Sequence, residues 1–302
     1  METATRKRPE IEQAVRQIPE QLATLAPMDE RRRDSRPRAR RTARDQRRRT
    51  HGQNFIRSDA VARELVTAAG VRADDLVVEV GAGAGVITEQ LARHAGRVLA
   101  LELDPAWARS LGERFAAHAN VTVRHQDVLR CAWPREPFRV VGNIPFGITT
   151  PLLHALLDDL RRPLVRADVI VQHEVARKRA TPGPATVLGV SWAPWFAFRL
   201  VRRIPAAAFS PVPAVDGAHM AIERRAQPLL EPAEQRAFAR FVRAGFARGG
   251  HLRAGLRSQL TNNQVRILRA TVPFDDETLC NRLDADAWVA LFAAARPYLG
   301  AR

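Results

Sequence analysis

The sequence predicts an α/β fold: a mostly parallel sheet with helices on both faces, followed by a smaller all-helical C-terminal domain. Three observations lead there. From Asp59 to Gln172, short apolar runs of strand length alternate with segments of helical periodicity, the pattern of a sheet covered on both faces. A glycine-rich turn, Gly81-Ala-Gly-Ala-Gly85, joins the first such run to a helix. After Gln227-Pro228 no strand pattern remains. The chain of 302 residues has room for about two such domains.

Taken in order, Ala60–Ala69 reads as a helix and Leu76–Val80 as a buried strand. Val86–His94 is helical, Arg97–Leu103 a strand, and Ala106–Ala117 a helix opened by Pro105 in its first turn. Val121–Arg124 and Phe138–Val141 are strands, Leu152–Leu160 a helix, Asp168–Gln172 a strand and Glu174–Ala180 a helix. Phe196–Arg203 and Gly217–Arg224 flank a proline-rich loop and read as an antiparallel finish to the sheet. Pro232–Ala247, Leu252–Leu260, Asn263–Ala270 and Ala285–Ala295 are helical. The chain thus divides into residues 1–50, residues 51–227 with the sheet, and residues 228–302 with helices alone.

Charge sets the class of partner. Lys and Arg number 48 against 32 Asp and Glu, a net charge of +16, and lysine occurs only at Lys7 and Lys178. Guanidinium groups fork phosphate and stack on flat rings, so an arginine-rich surface suits nucleic acid. Arg31 to Thr50 holds 11 arginines and two acids with almost no large apolar residue. Such a segment cannot bury a core and is expected to be a disordered arm that condenses on phosphate. The two cysteines, Cys131 and Cys280, make neither a disulfide framework nor a Cys-rich metal site, and the eight histidines lack ligand spacing. No metal is expected. The longest charge-free run, Ala180 to Phe198, is broken by Pro182, Gly183, Pro184 and Pro194, which argues against a membrane span. The N-terminus carries no apolar leader, so the expectation is a cytoplasmic, reduced protein.

Leu76 to Ile87 reads LVVEVGAGAGVI, a strand, a glycine loop and a helix start. Glycine allows positive φ and close approach of backbone to a ligand. The loop lies at the carboxyl edge of the sheet, where open α/β sheets bind ligands, which makes Gly81 and Gly83 candidates for a cofactor. Glu102 ends the next strand and can accept both ribose hydroxyls of an adenosine. The geometry serves dinucleotides and adenosyl cofactors alike, and a purely structural turn can have the same spelling. Val86 stands where the dinucleotide fingerprint has its last glycine, which favours S-adenosylmethionine. Asp127, after the third strand, can accept from an adenine amino group or simply cap a helix.

Asn143-Ile144-Pro145-Phe146 follows the fourth strand. Asn143 offers a side-chain carbonyl. Pro145 stiffens the turn and forces Ile144 to be extended, which frees the Ile144 main-chain carbonyl. Two adjacent acceptors fit an exocyclic amine with two hydrogens, and Phe146 supplies a face on which a base can stack. Within the helix Pro232–Ala247, Arg236, Arg240 and Arg243 share one face and are candidate contacts to RNA, though a solvated helix surface has the same pattern.

These motifs together resemble the Erm family of 23S rRNA adenine-N6 methyltransferases, within the wider family that includes the KsgA-type 16S rRNA dimethyltransferases. Gln53-Asn54-Phe55 resembles its N-terminal motif, Glu79 to Gly85 its cofactor loop, and Asn143 to Phe146 its target-base motif. Phe209-Ser-Pro-Val-Pro-Ala-Val-Asp216 resembles its late motif. The resemblance implies a Rossmann-like class I methyltransferase sheet over residues 51–227 and a helical RNA-binding domain over 228–302. It implies that Asn54 and the Ile56 backbone line the cofactor's methionine side with Gly81, that Glu102 holds the ribose and that Asp127 holds the adenine. It further implies that Asn143 faces both cofactor and target, and that Phe209 is a second wall for the flipped adenine opposite Phe146. The family more often has Tyr at position 146. Asn54 and the Asn-Ile-Pro-Phe spelling lean towards Erm, since KsgA-type enzymes show Gln-His-Phe and Asn-Leu-Pro-Tyr. The expected activity is methylation of 23S rRNA by a monomer, giving macrolide, lincosamide and streptogramin B resistance. The alternatives are a KsgA-type 16S enzyme, an rRNA-binding factor without catalysis, and a nicotinamide oxidoreductase, the last disfavoured by Val86.

Overall fold

The computed structural model describes residues 54–180 and 185–299. The arm over 1–50, Gln53 of the N-terminal motif and Thr181 to Pro184 lie outside the described residues.

The first elements are β1 (Phe55–Ile56), α1 (Asp59–Ala69), β2 (Leu76–Val80), α2 (Val86–His94), β3 (Arg97–Glu102), α3 (Pro105–Arg114) and β4 (Val121–His125). Then come β5 (Phe138–Asn143), α4 (Thr149–Leu157), β6 (Leu164–Gln172), α5 (His173–Ala180), α6 (Val187–Trp192), β7 (Phe196–Ile204), β8 (Phe209–Ser210) and β9 (Gly217–Arg224). The C-terminal helices are α7 (Gln235–Phe246), α8 (Leu252–Leu256), α9 (Asn262–Thr271) and α10 (Ala285–Leu299). Seven strands form one sheet in the order β4-β3-β2-β5-β6-β9-β7. All run parallel except β9, which is antiparallel to both β6 and β7. The α/β class and the antiparallel finish are therefore as expected. β1 and β8 make a separate two-stranded pairing, with Ile56 opposite Phe209.

Local chemistry sets the helix starts. The Ser58 hydroxyl accepts from Ala60 N–H at the head of α1, and Gly70 closes that helix at φ 62°. Asp104 caps α3 ahead of Pro105. The helix expected from Leu152 begins earlier, at Thr149, because Pro151 falls in its first turn, where no intrahelical N–H is needed. β6 likewise begins before Asp168. Arg166 interrupts its apolar pattern, yet the guanidinium is neutralised by Asp168 at 2.6 Å and by Glu223 on β9.

Helices α1 and α2 cover one face of the sheet, through Leu65, Val66, Ile87, Leu91, Val77 and Ile170. The other face carries α4 and continues without a break into the C-terminal helices: Leu152, Leu156, Trp195, Phe196, Phe238, Phe241, Leu256, Trp288 and Phe292 share one core. Trp195 meets Phe238 edge-on at 6.1 Å, and Phe238 meets Phe292 at 5.3 Å. Between β2 and β5 the chain order reverses, which puts a crevice at their carboxyl ends. That crevice requires Gly142, because a Cβ there would stand 2.5 Å from the Val80 carbonyl oxygen.

Candidate active site

Two loops leave the sheet at this reversal. Residues 81–85 follow β2, with Gly81, Gly83 and Gly85 at φ 72°, 52° and 81°. Only glycine occupies three such conformations without strain. The loop is tied down from the neighbouring strand. Glu102, at the end of β3 and buried, accepts from Gly83 N–H at 2.7 Å and from Asp104 N–H at 2.8 Å. Each carboxylate oxygen keeps lone-pair capacity beyond that bond. Phe55, from β1, lies on the loop: a Cβ at Gly83 would come within 2.6 Å of Phe55 Cε1. The Phe55 ring also meets Trp107 of α3, with centroids 5.4 Å apart.

The second loop carries Asn143 to Phe146. Asn143 Nδ2 donates to the Asn54 carbonyl at 2.5 Å, joining residues 89 apart in sequence. Asn143 Oδ1 takes no hydrogen bond from a described residue. Ile144 N–H donates to the Ile170 carbonyl at 3.0 Å, which pins the turn to β6. The Ile144 side chain is buried, while its carbonyl takes no hydrogen bond from a described residue. Phe146 follows on a short 3₁₀ turn over Phe146–Ile148, its ring half-buried. The structure thus brings Asn54, Gly81, Gly83, Glu102 and Asn143 to one crevice, with Phe146 at its edge.

Other expected residues fall differently. Asp127 lies just past β4 on the same edge of the sheet, where its Oδ1 accepts from Leu129 N–H at 2.9 Å and caps the 3₁₀ turn Val128–Arg130. Ile56 is buried and paired with Phe209. Phe209 itself requires a correction. It is fully buried, packed with Ile56, Val141, Ile170 and Ile204 in the core under α1 and against Gly217. A ring so enclosed has no free face for a base, so Phe209 supports the β1–β8 pairing rather than forming a second wall. Arg236, Arg240 and Arg243 sit on the exposed face of α7 and line a cavity with His154 and Asp158. They are not in the Asn143 crevice.

One group at the crevice was not singled out by the sequence. Glu79, on β2 just before the glycine loop, is buried; its Oε2 accepts from the Thr88 hydroxyl at 2.6 Å while Oε1 has no partner. Burial pushes its carboxyl up to about 8, against the lowering effect of the Thr88 hydrogen bond. Its signals are an acid inside an apolar strand, LVVEV, and its place as the first residue of the cofactor-loop motif. The glycine loop and the Glu102 carboxylate, whose oxygens keep capacity beyond the Gly83 and Asp104 N–H groups, fit the ribose hydroxyls of an adenosyl cofactor.

Over residues 44–296 the chain matches the family described as ribosomal RNA adenine dimethylase. The chain belongs to that family. The methyltransferase is 39% identical over 263 residues to an rRNA adenine N-6-methyltransferase of Aeromicrobium erythreum, covering 86% of this chain and 77% of that one. It is 39% identical over 248 residues to the mycinamicin-resistance protein MyrB of Micromonospora griseorubida, covering 81% and 78%. Among solved structures it is similar to the 23S rRNA methyltransferase ErmE, with a TM-score of 0.73, 32% identity, and coverage of 80% of this chain and 99% of that one. The Rossmann-like methyltransferase sheet and the rRNA adenine methyltransferase activity follow from this membership.

Proposed function

We propose that the methyltransferase transfers a methyl group from S-adenosylmethionine to N6 of a single flipped adenine in 23S rRNA, and so confers resistance to macrolides, lincosamides and streptogramin B. The observation that carries the chemistry is the Asn143–Asn54 bond. It occupies one of the two amide N–H groups and leaves Oδ1 without a donor among the described residues, so that Oδ1 and the Ile144 carbonyl would accept the two N6 hydrogens. The names of the relatives, 23S methyltransferase and mycinamicin resistance among them, support the choice of rRNA and the resistance phenotype.

When bound, the cofactor supplies an electrophilic methyl group on a sulfonium. Glu102 and Asp127 would hold its ribose and adenine, and Gly81, Gly83, Asn54 and the Ile56 backbone would line its methionine side. The base leaves its stack to reach the crevice. Adenine N6 is a weak nucleophile because its lone pair is spread into the ring. Accepting both N6 hydrogens, Asn143 and Ile144 favour a pyramidal nitrogen and aim its lone pair, so alignment accounts for most of the acceleration. Phe146 stacks on the base and faces the positive charge that spreads onto it. Both acceptors are neutral, so the surplus N6 proton passes to solvent. In this reading residues 228–302 and the basic arm over 1–50 hold the RNA, residues 51–227 carry out transfer, and the chain acts as a monomer in the cytoplasm.

Tritium transfer from labelled S-adenosylmethionine separates this from the 16S alternative. Deproteinised 23S rRNA is expected to accept label and small-subunit particles to accept none. Label on small-subunit particles alone contradicts the 23S assignment.

A further inference from the structure

We propose that the cavity between α4, α6 and α7 is a phosphodiester subsite for the rRNA strand flanking the target nucleotide. The proposal rests on the reading in which RNA reaches Asn143 and Phe146. The cavity has a volume of about 450 Å³. Helix α7 turns Phe238, Phe241 and Val242 into the core and leaves Arg236, Arg240 and Arg243 exposed along one side, all three lining the cavity. None of these guanidiniums has a carboxylate partner among the described residues. The nearby acid Glu234 is taken instead by Arg296 at 2.9 Å.

A second observation points independently to a ligand. Ser191 lines the same cavity, is 6% exposed, and its Oγ has no hydrogen-bond partner among the described residues. A buried hydroxyl left without a partner is costly unless something accepts from it. The carboxylate at the cavity, Asp158, is already engaged: Oδ1 accepts from Trp192 Nε1 at 2.8 Å and Oδ2 lies 2.8 Å from His154 Nδ1. Three cations without a carboxylate partner, facing one committed acid across a cavity whose wall holds the unpartnered Ser191 hydroxyl, make a site for an anion with several oxygens.

Position selects which anion. Thr150 and His154 of α4 and its C-cap residue Asp158 recur at four-residue spacing, so they line one side of the helix that descends from the Phe146 turn. Five residues of helix, about 7.5 Å of rise, separate Thr149 from His154. An RNA strand whose adenine enters beside Phe146 can therefore run along this face into the arginine cavity. The successive guanidiniums on α7 then follow consecutive phosphates and read no base, which suits a grip that positions the strand without choosing its sequence.

The test uses the full chain and two RNAs: oligouridylate, which contains no adenine, and a 23S rRNA fragment carrying the target. Arg240→Gln is expected to weaken oligouridylate binding about tenfold and to flatten the dependence of log K on log salt by about 0.7 for each phosphate that is no longer neutralised. Ser191→Ala should weaken it a few-fold with the salt slope unchanged, and Arg240→Lys should keep the slope. Arg63→Gln, exposed on α1 across the sheet, removes the same charge and should stay within twofold of the wild type. Cofactor affinity should hold in every variant, which also reports intact folding. Equal effects of Arg240→Gln and Arg63→Gln would overturn the subsite and leave only diffuse charge. Should the wild type bind oligouridylate through Arg240 but fail to methylate the 23S fragment, the functional reading falls and the subsite stands. Should it methylate with Arg240→Gln unaffected, the reverse holds.

Discussion

Phe146 and Glu79 show how single side chains set the chemistry of the crevice. The Phe146 ring can stack but has no hydroxyl, so nothing in the mechanism depends on one. Phe146→Tyr should keep methyl transfer within a few-fold, while Phe146→Ala should lose on the order of tenfold to a hundredfold, the equivalent of ~1–3 kcal/mol of base–aromatic stacking. Steady-state transfer to 23S rRNA measures both, and equal losses would mean that stacking is not what the ring supplies. Glu79 yields a pH prediction with a definite sign. Its folded pKa, about 8, lies above the ordinary value of 4.5, so the folded state holds a proton that the unfolded state releases between those values. Stability is then lost as pH rises from about 4.5 to about 8 and is level above. In Glu79→Gln this contribution disappears. Urea unfolding across that range should show the variant gaining on the wild type as pH rises, and parallel curves would contradict the buried proton. Asn143 and Glu102 could be read from sequence because each ends a strand at the carboxyl edge, with Ile144 directly after the first, where the chain has few choices. Phe209 could not. An aromatic residue in a proline-rich stretch looks like surface, and only the pairing of β8 with β1 shows that its ring is enclosed.

Strands and long helices follow from side-chain periodicity, so most elements matched their expected positions to within a few residues. Elements that depend on distant partners did not announce themselves. β1 and β8 are two residues each and pair across more than 150 positions, too short for any period. α6 hides in the charge-free run before Pro194, where its start depends on the Thr186 side chain accepting from Gly189 N–H. The glycines divide by what surrounds them. At Gly142 an added Cβ meets the Val80 carbonyl at 2.5 Å, backbone that cannot rotate away. Gly142→Ala should therefore cost about 1–3 kcal/mol and splay β2 from β5, taking methyl transfer with it. Gly112, exposed in α3, has nothing within 4 Å of such a Cβ, and Gly112→Ala should gain about 0.5–1 kcal/mol through helix propensity. Thermal melts of the two variants are the check, and a neutral Gly142→Ala would mean that the strands are not so closely set.

Across the whole molecule, charge and core tell complementary stories. Residues 51–302 carry +9 of the net +16, so the basicity is spread over the rest of the chain as well as over residues 1–50. Composition alone could say only that the partner is acidic. The shared core running from Leu152 and Phe196 to Phe238 and Trp288 then holds the arginine face of α7 at a fixed place beside α4. A sequence boundary at residues 227 and 228 marks where strands stop, but packing continues across it, because Trp195 Nε1 donates to the Leu230 carbonyl and its ring meets Phe238. The proposed arginine grip is therefore packed into the same core as the strands that carry the crevice. The central claim is that the Asn143 carbonyl and the Ile144 carbonyl align that adenine for transfer. Mass spectrometry of 23S rRNA from a host expressing the wild type or Asn143→Ala, with cofactor affinity of the purified variant measured alongside, tests it most directly. N6-methyladenine at one 23S position in the wild type, its absence in Asn143→Ala, and cofactor affinity retained within a few-fold are the predicted results; methylation retained by Asn143→Ala would contradict the account.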